Sequence, residues 1–262
     1  MKLYSFLFFC FFSVSLSAQQ GLIKEINISA QLLSTDKLGN LYILSDNKLL
    51  KYSSSGELLA SFSPEEGSII TDIDTRNPFK VCLFYGFENK INILDNSLSL
   101  IGENLFLKDI KVYGESLFSV SEQGGFWIWD NDNYKLIKLN SSFIFEYEKY
   151  IDIDQYPVQI INNIGYVFFR TDIGNLICYK LSNSTISKHA IPRESSLLLS
   201  NGIMFFDREN QMFNIYDPEK RGFTKTKYDF PKNVRPLDAL ISGTMIFCFD
   251  EDKVYLFEIS KN

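Results

Sequence analysis

Few residues in this sequence could support nucleophilic or metal chemistry. His189 is the single histidine, so a Ser-His-Asp triad or a histidine-based metal site would depend on it alone. It lies in the run Ile186–Ile191, whose pattern is typical of an outer strand, where a surface histidine is the ordinary finding. We therefore predict no catalytic residue, no metal site and no cofactor, and we expect that the chain is not an enzyme.

Two acidic motifs resemble known loops but lack essential positions. The segment 121–127, Ser-Glu-Gln-Gly-Gly-Phe-Trp, approaches the Asp-box of sialidases, yet it has no aspartate and its tryptophan is one place early. The segment 130–133, Asp-Asn-Asp-Asn, resembles the start of a calcium loop. The sixth position of that loop is not glycine, however, and the twelfth is Ser141 instead of glutamate. A tight turn is the favoured interpretation.

The N-terminus has the composition of an export signal. Lys2 precedes the apolar run Leu3–Leu16 and the small residues Ser17 and Ala18, which supplies a charged region, a hydrophobic region and a cleavage site. We expect residues 1–18 to be a cleaved signal peptide and residues 19–262 to be the folded domain; the alternative is an uncleaved N-terminal anchor. No later stretch reaches the roughly 20 apolar residues of a spanning helix. The remaining 25 basic and 32 acidic residues disfavour nucleic acid as a partner.

The rest of the chain repeats a strand pattern. The most apolar runs recur at spacings of 40, 45, 40, 37 and 42 residues, with centres at Ile43, Leu83, Ile128, Phe168, Phe205 and Phe247. A second strand follows each run after a polar turn, and further strands flank these pairs. A period near 40 with four strands per unit is typical of a propeller blade. We therefore predict an all-β fold, a six-bladed β-propeller with four antiparallel strands per blade.

The two ends of the sequence provide a test of ring closure. The sixth unit stops at Ile259, one outer strand short, whereas a spare strand at Leu22–Ile28 precedes the first unit. We predict that this N-terminal strand completes the last blade and removes an exposed edge. The alternatives are a pair of β-sandwiches or another number of blades. Three free buried thiols are expected, since blades two, four and six are not neighbours; these are Cys82, Cys178 and Cys248.

One unit carries a recognisable family pattern. Asp36–Ser45, with Leu50–Tyr52 and Gly56–Leu59, resembles the blade consensus of NHL-type and TolB-like six-bladed propellers. The clear match covers residues 36–62, and the other five units match in strand pattern. The resemblance implies a ring that holds proteins or ligands on one face, because those families mostly act in this way.

The strand assignment places many acidic residues on one face of the predicted ring. In a four-stranded blade, the turn between the second and third strands shares a face with the links between blades. We expect this face to bind a basic protein surface or a divalent cation, and the opposite face to be nearly uncharged except for Arg76 and Asp217–Arg221. Ordinary turn formation remains an alternative explanation. The predicted binding residues are Asp46, Glu65, Glu66, Asp130, Asp132, Asp152, Asp154, Asp172, Asp207, Asp250 and Asp252.

Three tyrosines offer a rival interface. Tyr147, Tyr150 and Tyr156 flank the link 151–155, and tyrosine is favoured in interfaces, although burial between blades is the alternative. We predict an exported, non-enzymatic protein-binding or scaffold subunit of the cell envelope, in the periplasm or at the cell surface. Its partners would be envelope proteins, for example in an outer-membrane assembly or secretion machine. The alternative is a ligand binder or lactonase-like, metal-dependent hydrolase using the central channel, with Asp72, Asp74 and Asp238 as inward carboxylates.

Overall fold

Six antiparallel sheets of four strands each make up the fold. A computed structural model describes residues 21–193, 195–200, 202–228 and 230–259; the predicted signal peptide at residues 1–18 lies outside these ranges. In each of blades 1 to 5, consecutive strands pair in chain order from the axis outward. The predicted all-β, six-bladed propeller is therefore confirmed.

The strand bounds follow blade by blade. Blade 1 contains β2 (Leu32–Thr35), β3 (Leu41–Ser45), β4 (Lys48–Tyr52) and β5 (Leu58–Phe62); blade 2 contains β6 (Asp72–Asp74), β7 (Val81–Tyr85), β8 (Lys90–Leu94) and β9 (Leu105–Phe106). Blade 3 contains β10 (Ser116–Val120), β11 (Phe126–Asp130), β12 (Lys135–Leu139) and β13 (Phe145–Tyr150); blade 4 contains β14 (Pro157–Asn163), β15 (Tyr166–Thr171), β16 (Asn175–Lys180) and β17 (Ile186–Ala190). Blade 5 contains β18 (Leu198–Ser200), β19 (Gly202–Asp207), β20 (Met212–Asp217) and β21 (Gly222–Lys227); blade 6 contains β22 (Asp238–Ser242), β23 (Met245–Phe249), β24 (Val254–Glu258) and β1 (Gly21–Ile26).

The last blade is completed by the N-terminal strand. Strand β1 pairs antiparallel with β24, from Gly21 opposite Glu258 to Ile26 opposite Val254, with one irregularity near Leu22. This pairing joins the two ends of the described chain and covers an edge that would otherwise present unpaired backbone groups. The predicted closure is confirmed, although the strand ends at Ile26 instead of Ile28.

The blades bury their apolar faces against one another. All five residues of β3 are buried, as are those of β7 and β11. Successive side chains of a strand point to opposite faces, so each of these strands is covered on both sides. Tyr42 of blade 1 packs in one cluster with Leu83 of blade 2, and equivalent clusters lie at the following blade boundaries. A blade that would be marginal in isolation gains its core from its neighbours.

The outermost strands are the least regular elements. Strand β9 has two residues and leads into a 3-10 helix at Leu107–Ile110, the one helical segment in the described ranges. Strand β5 leaves Leu58 and Leu59 exposed, because no blade covers the circumference. The described part of the chain offers no helical segment that could serve as a membrane span.

This topology gives the ring two faces, which differ in the turns that they carry. The linker face carries the links between blades and the turns 46–47, 86–89, 131–134, 172–174, 208–211 and 250–253. The hairpin face carries the remaining turns, which include 36–40, 75–80, 121–125, 164–165 and 243–244 between first and second strands. The first strand of every blade borders the axis, so residues near its two ends reach opposite ends of the central channel.

The three cysteines within the described ranges are buried free thiols, as predicted: Cys82, Cys178 and Cys248. Burial raises the pKa of Cys178 to about 11 and raises that of Cys82 further. A thiol whose pKa is raised carries little thiolate at neutral pH and is unreactive. These cysteines act as small core residues.

Candidate functional site

The predicted acidic residues lie at the turns and links of the linker face, but several of them are engaged in turn formation. Asp130 is buried and accepts hydrogen bonds from the backbone of Asp132 at 3.1 Å and from Nδ2 of Asn133 at 2.8 Å. Asp250 accepts hydrogen bonds from the backbone of Asp252 at 3.0 Å and from the Tyr255 hydroxyl at 2.6 Å. These carboxylates have a structural task, which is the alternative left open above.

Other members of the predicted set reach solvent. Asp207 is held by Asn210 Nδ2 at 2.8 Å, and Asp154 lies 3.3 Å from Lys188 Nζ. Exposed carboxylates on this face are Asp46, Glu65, Glu66, Asp132, Asp152, Asp154 and Asp252, and Asp172 is half-buried. The predicted binding residues are therefore dispersed around the ring instead of forming one cluster. Within the described residues, no group of three or more His, Cys, Asp or Glu side chains could hold a metal ion.

Basic residues interrupt the acidic character of the linker face at blade 5. Arg208, Lys232 and Arg235 line a cleft of about 500 Å³ together with Phe230. Positive charge is thus concentrated on this face between blades 5 and 6. A uniform acidic rim does not describe this face.

The predicted tyrosines do not form a single patch. Tyr147 and Tyr150 lie on β13 at the circumference of blade 3. The ring of Tyr147 packs edge-on against that of Trp127, with 6.3 Å between the ring centroids. Tyr156 lies on the linker face and donates a hydrogen bond to Glu115 at 2.5 Å. All three side chains are exposed, so the alternative of burial between blades is not what the structure has.

The axial channel is narrow. A cavity of about 90 Å³ is bordered by residues of the first strands or their approaches in all six blades, including Ser34, Asp72, Ser119, Gln159 and Leu198. Ligand pockets usually measure several hundred Å³, so this space suits a few water molecules. The channel alone does not offer room for the substrate of a lactonase-like hydrolase.

Carboxylates and one guanidinium occupy the linker-face end of the channel. Burial raises the pKa of Asp72 to about 7 and that of Asp238 to about 6, and Arg170 opposes both shifts. Arg170 donates hydrogen bonds to the Arg193 carbonyl at 3.1 Å and to Gln159 Oε1 at 3.4 Å. No lysine or arginine nitrogen of the described chain lies within 4.0 Å of either carboxylate. Two of the three carboxylates named in the sequence analysis therefore have no cation beside them.

The hairpin-face end of the channel is closed by a polar network. Arg76 pairs with Asp74 at 2.5 Å and also donates hydrogen bonds to the Val120 carbonyl and, at 3.3 Å, to the Asn162 carbonyl. Ser119 donates to Asn162 Oδ1 at 3.2 Å. The guanidinium thereby links blades 2, 3 and 4 across the axis.

A cavity of about 720 Å³ lies outside this closure on the hairpin face. Its rim includes Leu38, 62% exposed, and Phe79, 63% exposed, each in a turn between the first and second strands of its blade. The walls add apolar side chains from Pro78 and Ile241, and Arg76 lies at its floor. The depression is concave, largely apolar and carried by rigid blades, which are the usual properties of a ligand pocket.

Charged residues also line this cavity, so the expectation of a nearly uncharged hairpin face is wrong. Lys37, Lys80 and Glu122 lie in its turns and are exposed. The two lysines form no ion pair in the described part of the chain. Sequence reasoning overlooked these residues because it followed the serine, asparagine and glycine of the turns. An apolar residue within a turn, such as Leu38 or Phe79, is the signal that could have identified the site.

Comparison with known proteins supports the fold at low sequence identity. No protein-family model matches the chain, and no curated protein matches it. Among solved structures, a catalytically inactive virginiamycin B lyase from Staphylococcus aureus with quinupristin aligns at TM-score 0.57 and 15% identity, over 87% of this chain and 80% of that one. The Pan2 WD40 domain of Neurospora crassa aligns at TM-score 0.62 and 11% identity, over 94% and 97%. A chain of a mitotic checkpoint complex aligns at TM-score 0.60 and 10% identity, over 99% and 100%.

These neighbours correct one prediction from the sequence. The expectation that the chain is not an enzyme is wrong as an inference, because a propeller with similar architecture is a lyase. The lack of a histidine triad excludes one kind of active site and not catalysis in general. At these identities the comparison establishes the propeller fold, in agreement with the resemblance to NHL-type repeats.

Proposed function

We propose that this chain is an exported propeller that holds a segment of a partner protein in the hairpin-face cavity. The observation that carries the proposal is the cavity of about 720 Å³ with Leu38 and Phe79 exposed on its rim. Apolar side chains that are grouped around a concave surface mark an interaction site, whereas single exposed ones do not. The blades fix these turns in place, so little ordering entropy is lost when a partner binds.

The chemistry of the cavity defines the partner segment. Lys37 and Lys80 add positive charge beside apolar walls, and Glu122 is the exposed carboxylate among the lining residues. The fitting segment carries an apolar side chain next to an acidic residue. Apolar burial supplies most of the affinity, while the lysines favour the correct orientation.

The cellular setting is part of the same proposal. A charged residue, an apolar run and a small-residue site at residues 1–18 support export to the periplasm or the cell surface. The partners would then be envelope proteins, and an accessory role in an outer-membrane assembly or secretion machine fits a rigid disc. Some propeller neighbours come from protein assemblies, such as the mitotic checkpoint complex. Fractionation with N-terminal sequencing of the mature protein tests export; a protein that retains Met1 in the cytoplasm contradicts it.

The binding site can be tested with matched variants on the two faces. The first variant combines Leu38→Ser and Phe79→Ser on the hairpin face. The second combines Glu65→Gln, Glu66→Gln and Asp152→Asn, which are exposed on the linker face. The partner is first identified from envelope extracts. We expect the first variant to weaken binding of this partner by at least about tenfold, because the complex loses the burial of two apolar side chains. The second variant should leave that affinity unchanged.

The opposite outcome has a defined meaning. If the second variant loses the partner and the first retains it, the acidic linker face is the docking site and the present proposal is wrong. Circular dichroism and the midpoint of thermal unfolding serve as controls. All five substituted side chains are exposed, so neither variant should change the fold.

A further inference from the structure

A second cleft lies on the linker face between blades 2 and 3. It measures about 470 Å³ and is lined by Phe87 and Tyr113, which are 83% and 73% exposed. Leu117 and Val158 supply further apolar wall. Two almost fully exposed aromatic rings at one cleft form an unusual surface, because aromatic side chains normally gain their stability from burial.

The walls of this cleft are fixed by hydrogen bonds. Asn89 Nδ2 donates to the Gly114 carbonyl at 2.6 Å and to the Tyr113 carbonyl at 3.3 Å. Asn89 Oδ1 accepts a hydrogen bond from the Ser116 hydroxyl. The turn that carries Phe87 is thereby held against the link that carries Tyr113. These hydrogen bonds hold the two walls of the cleft together.

Negative charge is concentrated in the same cleft. Asp72 and Glu115 line it, and no lysine or arginine is among its lining residues. The exposed Asp132 lies against Gly114, since a Cβ at that glycine would approach Asp132 Oδ2 to 1.6 Å. Arg170 is the guanidinium whose field reaches Asp72 most strongly, yet it forms no ion pair with it.

Asp72 is the most informative of these groups. It is half-buried and borders both the cleft and the axial cavity. One oxygen accepts a hydrogen bond from the Ile73 backbone at 2.8 Å. The other accepts none from the described residues, and no cation of those residues lies within 4.0 Å. A half-buried carboxylate that has no cation beside it is only partly solvated, so a ligand that supplies positive charge would stabilise it.

We propose that the cleft between blades 2 and 3 binds an organic cation, an ammonium or guanidinium group carried on an apolar body. The faces of Phe87 and Tyr113 attract the cation and cover its apolar part, and Asp72 and Glu115 balance its charge. The ligand source is a free amine or a lysine or arginine side chain of a partner protein. This site lies on the face opposite the hairpin-face cavity and does not depend on the function proposed there.

The test uses full-length mature protein and four probes. Phenethylammonium represents a free amine, and its neutral counterpart is 2-phenylethanol. A blocked pentapeptide with a central arginine represents a protein side chain, and its counterpart carries norleucine. Binding is measured by calorimetry and by amide shifts at Gly86 and Gly114, which border the cleft. We expect saturable binding of at least one cationic probe and at least tenfold weaker binding of its neutral counterpart.

The variants decide whether the site is the one described. Phe87→Ala and Glu115→Gln should each weaken cation binding by at least threefold to tenfold, in the range of single cation–π and ion-pair contributions. Tyr150→Ala, which removes an exposed aromatic side chain at the circumference of blade 3, is the matched control and should bind normally. Tighter binding of the amine identifies a small-molecule source, and tighter binding of the peptide identifies a protein source. Equal affinity for neutral and cationic probes, or cation binding that survives both variants, overturns the proposal.

Discussion

The two ends of the axial channel treat their charges in opposite ways. At the hairpin-face end, Asp74 is paired with Arg76 at 2.5 Å, and both side chains are largely buried. At the linker-face end, Asp72 and Asp238 have no cation of the described chain within 4.0 Å, and burial raises the pKa of both. Asp72 and Asp74 are two residues apart on β6, so their side chains point to the same side of the strand. One strand thus contributes to both arrangements.

The difference separates a structural end from an end that is prepared for a ligand. The network of Arg76 joins three blades and satisfies most donors of the guanidinium. Such a network stabilises one arrangement of the ring. Carboxylates with raised pKa values and no cation beside them lower stability at neutral pH, and groups of this kind are concentrated at functional sites. The comparison therefore points to the linker-face end as the more reactive half of the axis.

Removal of the paired guanidinium should have the largest effect. In Arg76→Met, Asp74 loses its cation and three blades lose a shared contact. Breaking a buried ion pair typically costs about 3–5 kcal/mol. We expect a loss of that order in the free energy of unfolding, measured by urea denaturation at pH 7.

The double variant Arg76→Met with Asp74→Asn provides the control for this prediction. It removes both charges, so most of the loss should be recovered if an unpaired carboxylate is the cause. A loss below about 1 kcal/mol in the single variant would show that the two ends do not differ in the way described.

At the linker-face end, removal of a charge should raise the stability of the protein instead of lowering it. The pKa of Asp72 is raised to about 7 by burial, so between about pH 4 and pH 7 the folded state binds a proton that the unfolded state has released. Stability therefore falls as pH rises through this window. Asp72→Asn cannot titrate, and we expect it to stabilise the protein by about 1–3 kcal/mol at pH 8 and by little at pH 4.

Thermal unfolding at several pH values measures this difference. Asp132→Asn removes an exposed linker-face carboxylate and serves as the matched control. A stability gain of Asp72→Asn that is the same at pH 4 and pH 8 would contradict the titration argument.

The fold was accessible from the sequence because its signals are local. Runs such as Leu41–Ser45 are apolar on both strand faces, and they recur with the period of a blade. The closure strand was identified because one unit lacked its outer member. Boundaries shifted by a few residues, as at Leu22–Ile28, because turns and strand ends share the same residue types.

The site was less accessible because its partners are distant in sequence. Arg76 reaches Val120 and Asn162 across separations of 44 and 86 residues, and no local pattern encodes such contacts. The sequence placed the acidic residues on the correct face. Whether such a carboxylate is used in hydrogen bonds within its own turn, as that of Asp130 is, depends on side-chain geometry. Phe87 and Tyr113 lie in a turn and a link that are separate in sequence, and they line one cleft only when blades 2 and 3 pack together.

The smallest effect is expected for the guanidinium at the unpaired end. Arg170 lowers the pKa of both Asp72 and Asp238 without forming an ion pair with either. Its removal therefore leaves no carboxylate without an ion-pair partner that it had before. In Arg170→Gln, we expect both pKa values to rise by roughly 0.5–1 unit, with a smaller loss of stability than in Arg76→Met. Carbon-13 NMR titration of aspartate carboxyl groups measures the shifts, and Asp72→Asn and Asp238→Asn assign the two signals.

Arg193→Gln is the matched control for this titration. It removes the same charge from an exposed position on the linker face, where solvent screens its field. The pKa values of Asp72 and Asp238 should then stay in place. If Arg170→Gln also leaves the pKa values of Asp72 and Asp238 unchanged, Arg170 does not interact electrostatically with these carboxylates. Asp72 and Asp238 would then be independent of Arg170. A cation that binds to them would not have to compete with the positive charge of Arg170.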